Sequence, residues 1–258
     1  MELLKKPLRT ITAGLAWLLP DTCLLCKAAL TKEVSDHLCS FCRLALPLNI
    51  NPCKHCAVPL PSAPGNSQAV SCGSCLSKPL ADVAVAPLIH QGAAAYLVHQ
   101  LKFQGQARAG RALSQLMIAA ITNVYQGSVN SANGPDVIVP APLSWPAQVR
   151  RGFNQAHYLA QPLAKALQVA IEPRVITRKS GPPQRKLSAA ERRRLPANTY
   201  RVKRRYQGSS VFQHCHVAVI DDVLTTGSTA RQIIQLIRRQ GASRVDLWCA
   251  TRASLAQA

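Results

Sequence analysis

With 258 residues, 48% of them apolar, this chain can bury one substantial core with a smaller accessory module, or build two modest domains; it is no disordered tail. Its 31 Lys and Arg against 11 Asp and Glu give a formal charge of +20, which favours anionic partners such as nucleotides, phosphoribosyl compounds, nucleic acid or acidic membrane surfaces. No apolar run approaches the roughly 20 residues that a membrane-spanning helix needs.

At the amino end, Lys5, Lys6 and Arg9 precede the apolar stretch Ile11–Leu19, an arrangement shared with secretion signals. The stretch is short, however, and runs into Pro20-Asp21 without an Ala-x-Ala-like cleavage site. Leu4, Leu8, Ile11, Leu15 and Leu18 fall at helical spacing, so residues 1–19 are expected to form an amphipathic helix and the protein to be cytoplasmic.

Eight of the ten cysteines follow as four Cys-x-x-Cys pairs, Cys23/Cys26, Cys39/Cys42, Cys53/Cys56 and Cys72/Cys75. In a short secreted chain they would suggest disulfides; repeated knuckle pairs in a cytosolic chain indicate tetrahedral zinc. Eight thiolates make two closed structural sites with no open position for catalysis. Sequential pairing, first with second and third with fourth, is preferred, and spacing alone leaves an interleaved arrangement open. Residues 20–80 are read as a double zinc ribbon, with Pro59–Ser71 as the loop of its second half.

From residue 81 to 258 strand and helix patterns alternate. Val83–Ile89 reads as a strand, followed by a helix ending near Lys102-Phe103 and a second over Ala107–Tyr125. A short buried strand, Val137–Val139, runs into Pro140-Ala141-Pro142. Asn154 caps a helix to about Leu167, and Val175–Thr177 is another short strand. Val217–Ile220, a helix Ser228–Gln240 with Gly241 as C-cap, and Val245–Ala250 complete the series. Such alternation predicts a parallel α/β sheet. Cys215 and Cys249 are expected to be small core residues.

Three segments carry ligand chemistry. Val217–Thr229 places Asp221 and Asp222 after an apolar strand and before Thr225, Thr226, Gly227, Ser228 and Thr229. That loop offers N–H groups and hydroxyls at a helix start, which suits a phosphate, while the acid pair suits ribose hydroxyls or a divalent metal. A capped turn with two solvated carboxylates is the plain alternative. Arg150-Arg151-Gly152 leaves a second strand end, where guanidinium groups at a helix start suit pyrophosphate oxygens; the alternative is a solvated helix end with a Gly hinge. The third segment, Arg174–Arg205, holds 12 basic residues and a single acid, Glu191. It reads as a lid over the site, a nucleic-acid strip, or a solubilising loop.

The Val217–Thr229 pattern resembles the phosphoribosyl pyrophosphate (PRPP) signature of type I phosphoribosyltransferases. In that family the acid pair contacts the ribose 2- and 3-hydroxyls and the Thr-rich loop holds the 5-phosphate. The four cysteine pairs, Leu101-Lys102-Phe103-Gln104-Gly105, Arg150-Arg151-Gly152-Phe153-Asn154-Gln155 and the acid-pair loop occur in an order that resembles the ComF/GntX family over essentially the whole chain. The resemblance implies a type I phosphoribosyltransferase fold, a parallel sheet with helices on both faces, behind an amino-terminal zinc ribbon. It implies a role in natural competence or in using external DNA as a nutrient, with single-stranded DNA and other DNA-uptake proteins as partners. It assigns Asp221, Asp222 and Arg151 to catalysis, and Thr225–Thr229, Lys102, Arg150, Arg151 and Gly152 to phosphate binding, with Mg²⁺ accompanying PRPP if the chain is active. Within the basic segment, Gln184, Leu187, Arg193 and Asn198 resemble the family's Gln-x-x-Leu…Arg…Asn pattern, and Arg178, Lys179, Gln184, Arg185, Lys186, Arg193 and Asn198 are the expected lid or DNA contacts.

Overall fold

The computed structural model describes residues 21–31, 37–61, 70–125, 134–143, 145–178, 199–206 and 211–254. The helix expected over residues 1–19 and the basic stretch 179–198 lie outside the described residues. The chain divides into two compact units, Met1–Leu46 and Pro47–Ala258, so the first two cysteine pairs and the last two belong to different units.

In the first unit, an antiparallel bridge joins Thr22 to Ala29, and the Leu24 amide donates to the His37 carbonyl at 2.9 Å. Helix α1 (Ser40–Leu44) starts at Cys39, whose sulfur accepts the Cys42 amide. Among its described residues, Cys23, Leu24, Leu30, Leu38 and Leu46 form the small buried set. A core this small needs a metal staple.

The second unit contains strands β1 (Ala84–Val85), β2 (Leu88–Ile89), β3 (Val137–Pro140), β4 (Ala170–Ile171), β5 (Ile176–Arg178), β6 (Tyr200–Val202), β7 (His216–Leu224) and β8 (Arg244–Arg252). Its helices are α2 (Gly73–Ser77), α3 (Gly92–Gln104), α4 (Ala107–Val124), α5 (Trp145–Arg151), α6 (Gln155–Leu167) and α7 (Ser228–Arg239). The sheet runs β1-β8-β7-β3-β4, with β2 also on β8, and every pairing in it is parallel. Pro87, which has no N–H for a ladder, separates β1 from β2 where a single strand was expected.

Side chains alternate across this sheet as strand geometry requires. Val137, Val139, Val217, Val219, Val245, Leu247 and Cys249 meet Ile233, Ile234 and Ile237 of α7 in one buried cluster. Ile138, Ala218, Ile220, Trp248 and Ala250 are equally buried on the other face, which α4 and α6 cover. At the crossing of α4 and α6, Gly110 leaves room for Tyr158, whose ring would strike a Cβ there.

Winding reverses in the middle of the sheet. β3 leads through α6 outward to β4, whereas β7 leads through α7 in the opposite direction to β8. α6 and α7 cover opposite faces, the arrangement in which doubly wound sheets carry their ligand crevice at the carboxyl ends of the strands where winding reverses, here β3 and β7.

Three elements differ from the sequence expectations. The strand at Val217–Ile220 continues through the acid pair to Leu224, because β8 keeps pairing with it to Arg252 after β3 has ended at Pro140. The expected strand at Val175–Thr177 lies outside the parallel sheet: β5 pairs antiparallel with β6. Arg150 and Arg151 close helix α5 and do not start one. Gly152 then turns at φ +76°, and the Asn154 side chain caps α6 through the Ala156 amide at 3.0 Å.

Candidate phosphate crevice and cysteine clusters

Within each set of four, Cys23, Cys26, Cys39 and Cys42 or Cys53, Cys56, Cys72 and Cys75, all sulfurs lie within 4.8 Å of one another. Pairing is therefore sequential. Cys26 and Cys39 sulfurs are 3.6 Å apart, and those of Cys56 and Cys72 are 3.7 Å apart. A tetrahedron with Zn–S bonds of about 2.3 Å has S–S edges of about 3.8 Å, so both clusters have the dimensions of a four-thiolate zinc site. The Cys39 amide donates to Cys23 Sγ at 3.4 Å and the Cys72 amide to Cys53 Sγ at 3.2 Å. Burial opposes ionisation of Cys23, but the main-chain N–H groups of Cys26, Cys39 and Leu25 outweigh it and bring the thiol down to about 6. Cys53 is drawn to about 7 in the same way. Burial and the neighbouring sulfurs push Cys42, Cys56 and Cys75 the other way, so in each cluster one thiol ionises readily and the others need the metal's charge to do so.

The crevice at the ends of β3 and β7 is built from both faces of the sheet. Asp221 and Asp222 are consecutive on β7 and so project to opposite sides. Asp222 is buried, and its Oδ1 meets Lys102 Nζ from α3 at 2.8 Å. Lys102, expected on phosphate, thus has its ammonium on the acid pair. The second oxygen of Asp222, Oδ2, is buried without a hydrogen-bond partner, an acceptor left for a ligand hydroxyl. Asp221 accepts the Asp222 amide at 2.9 Å. Burial and the Asp222 charge push its carboxyl up to about 7, against the pull of Lys102 and Arg151. Arg151 lies with its guanidinium 5.3 Å from the centroid of Phe103, at the end of α3. Arg150 and Gly152 are exposed beside it. The Asn154 amide donates to the Ala141 carbonyl at 3.0 Å, which ties the turn after β3 to the start of α6.

After Leu224 the chain forms the hydroxyl loop. Thr225 and Thr226 are exposed, and Ser228 and Thr229 are partly so. Gly227 caps α7 at φ +75°, a left-handed conformation that favours glycine, and a Cβ there would sit 3.0 Å from Leu80. Ser228 is therefore not the cap; its amide points to Thr226 Oγ1 at 3.5 Å. β6, which pairs with β5, packs against α7, and the Arg178 guanidinium lies 6.0 Å from the Tyr200 ring centroid. Burial raises the Tyr200 pKa, while Arg178 and Thr229 oppose the rise. Lys179, Gln184, Arg185, Lys186, Arg193 and Asn198 lie outside the described residues.

Arg252 was not singled out in the sequence, yet it is the best-connected side chain behind the loop. It is buried, and Nη1 donates to the carbonyls of Leu224 at 3.0 Å and Thr225 at 2.7 Å. The available signal was an arginine closing the apolar strand Arg244–Arg252, where a buried cation demands partners.

Residues 14–76 match a family model described as a double zinc ribbon domain. The chain is 35% identical to the DNA utilization protein YhgH of Salmonella typhimurium over 90% of this chain and 97% of that protein. It is 31% identical to competence protein F of Haemophilus influenzae, covering 90% of this chain and 96% of that protein. Among solved structures, a purine phosphoribosyltransferase from Pyrococcus horikoshii covers 53% of this chain and 70% of its own, at 17% identity and a TM-score of 0.33. Among the described residues no helix is long and apolar enough to cross a membrane. Identity at this level along nearly the whole length, with two four-cysteine clusters at the amino end, makes the chain a member of the family of DNA utilization protein YhgH and competence protein F, as its ComF/GntX resemblance implied.

Proposed function

We propose that this chain is a cytoplasmic DNA-utilisation protein that binds a ribose-phosphate ligand of the PRPP type in the crevice between β3 and β7, and single-stranded DNA on the basic segment Arg174–Arg205. One observation supports the ligand reading above the rest: a carboxylate pair, one member ion-paired to Lys102 and still presenting a bare buried oxygen, stands directly before a hydroxyl loop at a helix start. In this reading Asp222 Oδ2 and Asp221 accept the ribose hydroxyls. The Thr225–Thr229 amides and hydroxyls hold the 5-phosphate, and Arg151 faces the pyrophosphate. Asp221, only about half ionised near neutral pH in the free chain, gives up the rest of its proton when a cation or hydroxyl network arrives. Mg²⁺, when bound with PRPP, would neutralise pyrophosphate charge beside Asp221.

The zinc clusters are structural in this proposal, since four thiolates leave no open coordination position. Arg201, Lys203, Arg204 and Arg205 on and after β6 supply charge for a nucleic-acid backbone. Aromatic residues make up only 5% of the chain, so charge and not base stacking would dominate DNA affinity. DNA-uptake proteins are the expected protein partners.

A second reading, phosphoribosyl transfer from PRPP to a base or nucleotide-like acceptor, rests on the same crevice. Its transition state develops positive charge at the sugar C1 as pyrophosphate departs, and Arg151 is disposed to stabilise the leaving group. Calorimetry with PRPP and Mg²⁺, together with anisotropy of a labelled single-stranded oligonucleotide, tests both functions. Replacing Asp221 and Asp222 with Asn should weaken PRPP binding about 10–100-fold and leave DNA binding intact. A wild-type chain that binds no PRPP with Mg²⁺ present would refute the ligand reading, and pyrophosphate release without added acceptor would separate hydrolysis from transfer.

A further inference from the structure

We infer that Arg252 and Leu80 couple the second cysteine cluster to the hydroxyl loop, so that metal at Cys53, Cys56, Cys72 and Cys75 sets the order of the loop. The inference deepens the reading of Thr225–Thr229 as a phosphate loop, and its structural half stands without any ligand.

Arg252 is 4% exposed and lies at the end of β8. Its Nε donates to the Cys56 carbonyl at 2.9 Å. Its Nη1 donates to Leu224 at 3.0 Å, Thr225 at 2.7 Å and Ala253 at 2.5 Å, again through main-chain carbonyls. One planar fork therefore fastens two segments remote in sequence: the knuckle turn of the second cluster and the first residues of the hydroxyl loop. A guanidinium suits this task because its donors diverge in one rigid plane, which a lysine ammonium cannot reproduce. Burying the cation is costly, and only the full set of carbonyl dipoles offsets it. If one segment relaxes, the guanidinium loses acceptors and the other segment loses its donor.

A second contact runs in parallel. Leu80 lies five residues beyond Cys75 and is buried, with Cδ2 where a Cβ on Gly227 would stand 3.0 Å away. The following residue, Ala81, donates its amide to the His55 carbonyl at 3.2 Å, inside the Cys53–Cys56 knuckle. The cluster thus reaches the loop twice: by a polar link at Thr225 and by an apolar one at Gly227.

The knuckle itself depends on its metal. Ala57 sits at φ +52° and its amide donates to the Cys53 carbonyl at 2.8 Å, a tight turn whose two thiols converge on one point. Four thiols at van der Waals separation have no bond to hold them together without a cation, and losing the metal removes what closes the turn. The Cys56 carbonyl then leaves Arg252. The first cluster lies in the other compact unit and serves as an internal reference.

The test compares full-length Cys75→Ser and Cys42→Ser proteins, each disrupting one cluster, by amide hydrogen exchange across residues 224–229. Exchange there should rise about tenfold or more in Cys75→Ser and stay at the wild-type rate in Cys42→Ser; equal rates in all three proteins, or a rise in both variants, would overturn the coupling. Reciprocity supplies the ligand half, because binding that orders the loop must tighten the metal by the same factor. With PRPP and Mg²⁺ present, equilibrium competition with a colour-forming chelator should show one of the two zinc equivalents bound about fivefold or more tightly, and Arg252→Gln should lose that gain while Arg252→Lys recovers part of it. If PRPP binds yet both equivalents keep their affinity unchanged, the coupling fails and the ligand reading survives. If PRPP does not bind at all, the ligand reading fails and the exchange experiment alone decides the coupling.

Discussion

Replacing Asp221 and Asp222 one at a time with Asn should move stability in opposite directions, although the two carboxylates are adjacent. Asp221 has its carboxyl raised from 3.8 to about 7, by burial first and by the Asp222 charge second. Between those values the folded chain keeps a proton that the unfolded chain has lost, so stability falls as pH rises through this window. At 1.36 kcal/mol per unit, the shift corresponds to about 4 kcal/mol above pH 7. The side chain is partly open to solvent, which reduces the figure to about 2 kcal/mol. Asp221→Asn should therefore stabilise the protein by about 2 kcal/mol at pH 8 and leave it unchanged at pH 3.5. Asp222 is buried and paired at 2.8 Å with Lys102, so Asp222→Asn strands a half-buried ammonium and should cost about 3 kcal/mol at neutral pH. Urea denaturation of the zinc-loaded proteins at pH 3.5, 6 and 8 measures both. A loss of stability for Asp221→Asn at pH 8, or equal shifts for the two variants, would refute the account of the acid pair.

Other expectations concern separate parts of the molecule. Gly227→Ala combines a left-handed φ of +75° with a methyl 3.0 Å from Leu80, and should weaken PRPP binding about tenfold or more in calorimetry while zinc content stays at two equivalents. Asp246 is fully buried and accepts from His216, Tyr125, Arg244 and the Val83 amide. Burial works against its ionisation, but these donors hold its carboxyl below the usual range. Its stabilisation is present above the ordinary carboxylate pKa and is lost as pH falls through the lower folded value. Asp246→Asn should accordingly cost about 3 kcal/mol at pH 7 in chemical denaturation, with the gap to wild type narrowing in acid. Replacing Arg201, Lys203 and Arg204 with Gln should reduce the salt slope of single-stranded DNA binding by about 2, with PRPP affinity unchanged. Metal analysis of the purified chain should return two zinc equivalents, and a value near one would refute the paired clusters.

Features that depend on neighbours in the chain were legible from residues alone. Two thiols three positions apart are half of a metal site before any folding, so the four cysteine pairs announced two clusters. The acid pair and the hydroxyl loop are likewise contiguous, as is the Asn154 cap of α6. Relations between distant segments were not legible. Lys102 meets Asp222, 120 positions later in the chain, because α3 packs on β8, the strand beside β7. Cys56 and Arg252, 196 positions apart, touch because β8 carries the loop and the ribbon to the same end of the sheet. The reach of β7 past Pro140, with the acid pair inside the strand, follows from continued pairing to β8 that no local pattern encodes. Residue chemistry and spacing therefore named the ligand classes, while strand order and crossover handedness decided which groups meet, because parallel pairing joins segments whose contact carries no signature in either one.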